Sequence, residues 1–439
     1  MLQGDPLSGI LFNMVIDQVM RQIPDYLGFQ LDENTLVNSM GFADDLNAIT
    51  STREGMRCLL QILDKLCPKW GLKFNAAKCR YLCMEADGRN KKMKVSTDCM
   101  FVINGSTIEL VGVCGQWKYL GVYFSNNGIE PPKQMLNVWL GRLKAASLKP
   151  QQKFFILRNY RIPRLLYPLK MSPLSVTALN RLDGAIRKAL TGTTGMLHLP
   201  SSTPKSFFYA SVADGGLGVL CLRYSVPSMI VGRFEKLSTS NSSVVQAAIK
   251  EAAFAHRIGV ARKFVLKVVG QDILAGAIRS YHRELLDSFI DTKGLVEAGK
   301  CPSVHTWVSD GTKMMTGENY CEALKIIVNA LPSLSRTQRG MTSDRSCRAG
   351  CKAPKTNCYV LQNCHKTHDI RVERHDRVHK RLSAFLSQRG ETVNDNMTFV
   401  TMEGWRKPDV VFTTNEGTAH VVDVQIVGEY KDLDTLHKM

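Results

Sequence analysis

The sequence is poor in long apolar runs and in acidic residues. No run approaches the roughly eighteen apolar residues that span a bilayer, and no charged, apolar, small-residue leader opens the chain. These absences argue against membrane-spanning and secreted proteins, so we expect a soluble intracellular protein. Asp and Glu number 39 against 57 Lys and Arg, a formal net charge of +18. Such a balance favours polyanions, nucleic acid before anionic membrane, and the sequence lacks the helix, apolar on one face and lysine-rich on the other, that a membrane surface requires.

Length and cysteine content bound the organisation of the chain. At 439 residues it exceeds one typical domain, so we expect about two to four units, each able to bury a core. Nine of the thirteen cysteines are scattered among apolar residues, as at Cys58, Cys67 and Cys221, where a reduced buried thiol behaves as a small hydrophobe. The other four fall within residues 347–364, and in an intracellular protein such a cluster indicates metal binding rather than disulfides.

Two adjacent acids, Asp44 and Asp45, stand in an apolar frame. A β-hairpin accounts for this pattern, since small Gly41 and Ala43 allow close approach of backbone or substrate and the turn presents both carboxylates. Because a buried unpaired carboxylate is costly, a cation is the expected partner. Mg²⁺ takes hard oxygen ligands together with substrate phosphates, which predicts half of a two-metal phosphoryl-transfer centre. The alternative is a solvated turn that carries two acids.

The segments around this hairpin have patterns of their own. A turn at residues 3–8 leads into an amphipathic helix, and residues 54–70 repeat apolar side chains at helical spacing. Residues 71–79 are typical of a helix exit into a strand, and a strand pair is expected around 119–124. These segments, in this order, resemble the palm of a reverse transcriptase. An unrelated α+β domain is the alternative.

The resemblance implies roles for the matching residues. Those that would line the template and the incoming nucleotide are Gln3, Gly4, Phe42 and Ala43. Asp44 and Asp45 would hold Mg²⁺, residues 71–78 would be the next palm motif, and Tyr119–Gly121 the primer grip. The family's other metal-binding aspartate and its nucleotide-gripping fingers would lie upstream. We therefore expect a palm remnant that does not polymerise by itself.

Residues 131–225 are helical by pattern and rich in cations, which suits a thumb that grips a primer–template duplex through phosphates; a solvated helix face is the alternative. These cations are Arg142, Lys144, Lys149, Lys153, Arg158, Arg161, Arg164, Lys170, Arg181, Arg187 and Lys188, of which Lys149 and Arg158 are the nucleic-acid-binding candidates. Residues 148–153 and 215–218 resemble stretches of the R-two type of non-LTR retrotransposon, which inserts into ribosomal RNA genes. This resemblance extends over nearly the whole chain and implies that residues 226–335 are a helical linker with a scaffold role.

A cysteine-rich segment suits a tetrahedral Zn²⁺ site, because thiolates and imidazoles in a small loop-rich segment are typical zinc ligands. The candidate ligands are Cys347, Cys351, Cys358, Cys364, His365 and His368. Zinc would staple a segment too small to fold on an apolar core. The resembling elements carry a Cys, Cys, His, Cys knuckle here, and its histidine falls on Tyr359. Either Cys358 is the third ligand, giving four thiolates, or His365 or His368 completes the shell; free thiols are the alternative.

A basic patch and two apolar strands follow. The nucleic-acid-binding candidates are Arg374, His375, Arg377 and Lys407. Asp409 and Asp423 each belong to an apolar strand, and two carboxylates on neighbouring strands can bind a divalent ion that activates water against a phosphodiester. The order of zinc ligands, basic patch and acids resembles the restriction-enzyme-like endonuclease of the same elements, which implies that the patch faces DNA phosphate; a solvated helix face is the alternative.

The lysine of that nuclease core is displaced in this sequence. Gln425 occupies its usual place, two residues after the second acid. The retrotransposon family instead places the lysine on the following helix, where Lys438 is the candidate. The other possibility is a lysine beyond the end, with the chain cut at both ends.

The sequence therefore predicts a multidomain α+β protein. The expected domains are an incomplete reverse-transcriptase palm (1–130), a helical thumb (131–225), a helical linker (226–335), a zinc knuckle (336–370) and an incomplete endonuclease (371–439). The resemblance implies an RNA-directed DNA polymerase and endonuclease that uses Mg²⁺ and Zn²⁺. Its partners would be element RNA, ribosomal DNA and dNTPs, with no membrane, in the nucleus or nucleolus. The alternative function is a catalytically incomplete RNA- or DNA-binding remnant.

Overall fold

The computed structural model describes residues 6–269, 275–301, 303–395, 397–402, 404–424 and 426. Within these ranges the helices are α1 (Pro6–Arg21), α2 (Arg53–Leu66), α3 (Lys133–Ala145), α4 (Pro150–Ile156), α5 (Ile162–Met171), α6 (Val176–Leu190), α7 (Lys205–Tyr209), α8 (Leu222–Ser238), α9 (Ser243–Lys250), α10 (Ala252–Val269), α11 (Ala275–Ser288), α12 (Leu295–Ala298), α13 (Trp307–Met314), α14 (Gly317–Ile327), α15 (Leu334–Thr337), α16 (Asn357–Gln362) and α17 (His368–Gln388). Among them, no helix combines the length and the apolar character needed to cross a bilayer.

Strands lie towards the two ends of the described chain and pair into small sheets of two or three strands. They are β1 (Phe29–Asp32), β2 (Thr35–Val37), β3 (Ser39–Phe42), β4 (Asp45–Ala48), β5 (Arg80–Tyr81), β6 (Met84–Asp87), β7 (Lys92–Val95), β8 (Val102–Ile103), β9 (Ser106–Thr107), β10 (Glu109–Leu110), β11 (Trp117–Tyr119), β12 (Val122–Ser125), β13 (Gly128–Ile129), β14 (Thr392–Asn394), β15 (Phe399–Thr401), β16 (Gly404–Arg406), β17 (Val410–Thr413) and β18 (Ala419–Val422). The predicted mixture of helix and strand is confirmed.

Contacts between residues divide the chain into two units. The first comprises residues 1–145, 156–186 and 220–278, and the second comprises residues 146–155, 187–219 and 279–439. The finer division into five domains stays a prediction.

The core of the first unit is built around α2. Thr52 caps this helix by accepting a hydrogen bond from the Gly55 backbone N–H at 3.0 Å. One side of α2 buries Leu59 and Leu63 against α1, while Leu60 packs against the β8–β9 region. Each fully buried leucine contributes about 1.5–3 kcal/mol through removal of apolar surface from water.

The structure buries two of the three cysteines that were expected to be buried. Cys67 and Cys221 are buried, as predicted, but Cys58 is exposed, so that prediction was wrong. Cys58 lies on α2 next to buried Leu59, and a helix turns each successive side chain by about 100°, which carries it away from the core.

Helix α1 forms where the turn predicted at residues 3–8 was expected to lead into a helix, but only part of its apolar face is buried. Val19 is buried in the core, whereas Leu7, Ile10 and Met14 are all exposed. The amphipathic helix is therefore present as predicted, and its first turns expose their apolar side chains.

In the second unit, Asp291 is a buried acid that receives two arginines. Arg339 binds it in bidentate fashion at 2.7 and 3.0 Å, and Arg336 lies 3.2 Å from Oδ2. Arg336 also donates to the Asn329 carbonyl at 2.7 Å. This network joins α15 and the residues after it to the segment after α11. Asp291 is 7% exposed, so water solvates its carboxylate poorly.

Substitution of Asp291 by asparagine is expected to lower the free energy of unfolding of the second unit by about 3 kcal/mol, because it leaves the half-buried Arg336 without its counter-charge. Urea unfolding followed by hydrogen exchange measures the loss. Asp287→Asn, which removes the same charge from an exposed position, is the matched control. Equal free energies of unfolding of the two variants would contradict the role of Asp291 as the counter-charge of Arg336.

Candidate functional site

The predicted hairpin at Asp44 and Asp45 is present. Strands β3 and β4 pair antiparallel over four positions, so only Ala43 and Asp44 form the turn. Ala43 has φ = 52°, the left-handed conformation that tight hairpin turns use. On β4, Leu46 and Ala48 are half-buried against the core formed with α1 and α2. This packing fixes the register that places Asp45 at the outer end of its strand.

Both carboxylates are exposed, so the expectation that the pair is buried was wrong, while its binding of Mg²⁺ stays a prediction. The turn projects from a two-stranded ribbon beyond the core, where water solvates each acid. Asp45 nevertheless lies within electrostatic reach of Tyr119 on β11, since burial and then the charge of Asp45 raise the pKa of Tyr119. The pair offers only oxygen ligands at a solvated place, a donor set that fits Mg²⁺ shared with substrate phosphates.

The residues predicted to line the nucleotide and template fall in different settings. Phe42 is 65% exposed beside the acids, and Ala43 forms the turn. Gly41 makes room for a side chain of α1, because a Cβ there would meet Met20 Sδ at 3.0 Å. Gln3 and Gly4 lie outside the described residues.

The two cation candidates of the helical region also differ. Lys149 is exposed, whereas Arg158 is half-buried in a π-helical turn, Leu157–Arg161, directly before α5. Such turns occur often at functional sites. Arg161 lies over the Trp139 ring, 5.1 Å from its centroid, a cation–π contact that counting cations alone does not predict.

Three cysteine sulfurs meet in the second unit. Cys347 and Cys351 each place Sγ 3.8 Å from Cys364 Sγ, and the ligand atoms of all three lie within 4.8 Å of one another. Zinc–sulfur bonds of about 2.3 Å in a tetrahedron put sulfurs about 3.8 Å apart, so this donor set fits Zn²⁺. A tight loop forms the site, because the Cys347 N–H donates to the Ala353 carbonyl at 2.8 Å.

The remaining ligand candidates lie outside this group of three sulfurs. Cys358 does not join it among the described residues, His365 Nδ1 lies 3.1 Å from Cys351 Sγ, and His368 begins α17. Tyr359, where the resembling knuckle has histidine, hydrogen-bonds to Cys351. This bond lowers the pKa of Cys351 to about 6 and raises the pKa of Tyr359 to about 12.

The structure brings Asp409 and Asp423 together at one end of a hairpin. Asp409 immediately precedes β17 and Asp423 immediately follows β18, and these strands pair antiparallel with Val410 opposite Val422. The Asp409 N–H donates to Asp423 Oδ1 at 3.2 Å, and the Val424 N–H donates to Asp409 Oδ2 at 2.7 Å. Backbone hydrogen bonds therefore orient one oxygen of each carboxylate.

His375, predicted to contact phosphate, lies against this pair. Its Nε2 is 3.2 Å from Asp409 Oδ2, and its Nδ1 is 3.4 Å from Asp376. Burial lowers the pKa of His375, but the hydrogen bond to Asp376 and the charge of Asp409 outweigh that effect and raise it overall. The sequence pattern missed this contact because it joins residues 34 positions apart.

The other nuclease candidates are dispersed. Arg374 is half-buried and donates to the Leu361 carbonyl at 3.2 Å, next to the cysteine segment. Arg377 and Lys407 are exposed, and Arg377 lies 3.7 Å from Glu373 in a surface ion pair. Lys438 lies outside the described residues.

Residues 1–124, which include the Asp44 hairpin and β11, match the family model for reverse transcriptase (RNA-dependent DNA polymerase). The chain is 33% identical over 439 residues to the retrovirus-related Pol polyprotein from type-2 retrotransposable element R2DM of Drosophila melanogaster, covering 99% of this chain and 41% of that protein.

Two further relatives are Pol polyproteins from type-1 retrotransposable elements R2. The Nasonia vitripennis protein is 32% identical, covering 99% of this chain and 41% of the relative. The Bradysia coprophila protein is 30% identical, covering 97% and 49%. The chain thus spans less than half the length of these relatives, but they match it almost from end to end. Along nearly its whole length the chain is therefore similar to Pol polyproteins of R2 retrotransposable elements, and its residues 1–124 match the reverse-transcriptase family model.

Proposed function

We propose that this chain carries the polymerase and nuclease chemistry of an R-two type element that copies its RNA into ribosomal DNA. In this reaction a nick in the target DNA supplies the 3′-hydroxyl that primes reverse transcription. The observation that carries the proposal is the Asp44–Asp45 pair at the tip of a two-residue hairpin, inside the region that matches reverse transcriptases.

For polymerisation, Asp44 and Asp45 would hold the Mg²⁺ ions. When bound, Mg²⁺ would supply Lewis-acid stabilisation of the negative charge that develops during phosphoryl transfer. The short hairpin keeps both carboxylates at one fixed place, since Leu46 anchors β4 to the core. Exposed Phe42 and nearby Tyr119 would bound the space in which primer and nucleotide meet.

For DNA cleavage, Asp409 and Asp423 would hold a divalent ion that lowers the pKa of attacking water. One oxygen of each carboxylate is already oriented by a backbone N–H, and His375 adds a side-chain contact to Asp409. Exposed Arg377 and Lys407 are suited to hold DNA phosphates. Lys438 remains the candidate lysine.

The zinc knuckle, the five-domain division and the partners are part of the same proposal. Cys347, Cys351 and Cys364 would bind Zn²⁺ together with one further ligand, which would be Cys358, His365 or His368. Element RNA, ribosomal DNA and dNTPs would be the partners, and the reaction would take place in the nucleus or nucleolus.

Substitution of Tyr359 by histidine is expected to tighten zinc binding by about tenfold or more, because it puts an imidazole beside three thiolates in place of a phenol. Competition with a chromophoric chelator measures the affinity. Tyr359→Phe, which removes only the hydroxyl, should bring no such gain, and Cys364→Ser should abolish stoichiometric zinc. An unchanged affinity in Tyr359→His would indicate that His365 or Cys358 already completes the shell.

Two assays test the proposed function. Primer extension on an RNA template with Mg²⁺ and dNTPs reports the polymerase and uses a Pol polyprotein of the length of the relatives that includes this segment, since the segment by itself is expected not to extend a primer. Nicking of supercoiled DNA by the chain reports the nuclease. The net charge of +18 favours a second candidate, a nucleic-acid-binding remnant without catalysis. That candidate predicts salt-sensitive binding to RNA or nicked duplex that Asp409→Ala leaves unchanged. Nicking that Asp409→Ala removes would exclude it.

A further inference from the structure

Strands β15 and β16 form an isolated two-stranded ribbon whose apolar side chains face solvent. Val400 is opposite Trp405 in the register, so their side chains share one face of the ribbon. Trp405 is 75% exposed and Val400 is 71% exposed, and Met402, which follows β15, is fully exposed. Within the described residues this ribbon pairs with no third strand, and an isolated ribbon gains little stability from such side chains.

The opposite face of the ribbon and its end carry cations. Phe399 is opposite Arg406, which places an aromatic ring and a guanidinium side by side. Lys407 follows Arg406 directly and is exposed. Aromatic and apolar side chains beside cations are the combination that nucleic acid recognises, through stacking on bases and contact with phosphates.

The position of the ribbon in the chain favours DNA as its partner. Asp409 lies four positions after Trp405, so their Cα atoms are at most about 14 Å apart. DNA held at Asp409 and Asp423 advances about 3.4 Å per base step, which puts Trp405 within about four steps of the cleaved phosphodiester.

We propose that the β15–β16 ribbon is a DNA contact in which Trp405 and Val400 pack against bases next to the phosphodiester held at Asp409 and Asp423. Apolar wedges of this kind partly unstack base steps and bend the duplex. Arg406 and Lys407 hold the adjacent phosphates. The adjacency to cleavage rests on the proposed nuclease function, whereas the contact itself can be measured without cleavage.

The test uses the whole chain bearing Asp409→Asn and a fluorescent 40-base-pair DNA duplex. Trp405→Ala is expected to weaken binding about tenfold, as the loss of one stacking partner does, while the slope of log affinity against log salt stays the same. Lys407→Ala should instead reduce that slope by about one. The difference in tryptophan fluorescence between the parent and Trp405→Phe reports Trp405, and DNA should quench this contribution. Met341→Ala, another exposed apolar position of the second unit, is the matched control and should bind like the parent.

Unchanged affinity in Trp405→Ala together with unquenched Trp405 fluorescence would overturn the proposal, as would an effect confined to an RNA duplex of the same length. The nuclease assignment fails separately, if nicking by the parent chain survives Asp409→Asn. In that case a tenfold effect of Trp405→Ala would support the DNA contact and overturn only its placement beside a cleavage site.

Discussion

Replacement of Asp45 by asparagine is expected to lower RNA-templated primer extension at least about a thousandfold, which corresponds to about 4 kcal/mol of transition-state stabilisation. The substitution keeps the shape of the side chain and removes its charge. The hairpin should persist, because Leu46 and Ala48 anchor β4 to the core and the turn lies outside it. The loss would therefore report metal binding at the tip rather than unfolding. Asp44→Asn is expected to give a loss of similar size.

The measurement is single-turnover extension by a Pol polyprotein of the length of its relatives that includes this segment. Glu33→Gln, in the turn between β1 and β2, removes an exposed acid from the neighbouring hairpin and should keep the parent rate. Template affinity should change little in any of the three variants. Extension by Asp45→Asn within tenfold of the parent would contradict the catalytic assignment of this hairpin.

Local patterns predicted the hairpin because its determinants lie within ten residues. The apolar frame on both sides of the two acids predicted the strands, and a two-residue turn leaves little choice of register. The exposure of Asp44 could not be predicted in this way, because burial depends on which surfaces meet. The same limit applies to α1, where helical spacing was correct but Ile10 and Met14 remain exposed.

Contacts between distant segments were the other feature that the sequence could not predict. The sequence identified Asp409, Asp423 and His375 separately, and the chain then joins His375 of α17 to Asp409 across 34 positions. In the cysteine segment, spacing identified the thiols, but only the folded loop distinguishes Cys364, which joins the cluster, from Cys358, which does not. A pattern of residue types specifies which chemistry is possible, whereas tertiary packing decides which members act together.

Asp409→Asn and Asp423→Asn are each expected to reduce nicking of supercoiled DNA at least about a thousandfold, because each removes a charged ligand of the proposed divalent ion. The two losses should not add when the substitutions are combined, since both acids serve one site. Glu416→Gln removes an exposed acid in the turn at the other end of the same hairpin and is the matched control. It should nick at the parent rate.

The variant His375→Ala tests whether His375 orients the carboxylate of Asp409 without binding the metal itself. Because Val424 still holds Asp409 Oδ2 through its N–H, we expect a smaller loss of about ten- to a hundredfold, the size usual for partners of metal ligands. His375→Asn should recover part of it by donating to the same oxygen. Manganese affinity, measured by electron paramagnetic resonance, should fall strongly in Asp423→Asn and only modestly in His375→Ala. Undiminished nicking in Asp409→Asn would contradict the assignment of these acids as ligands of the nuclease metal and would leave them as a structural contact between the ends of β17 and β18.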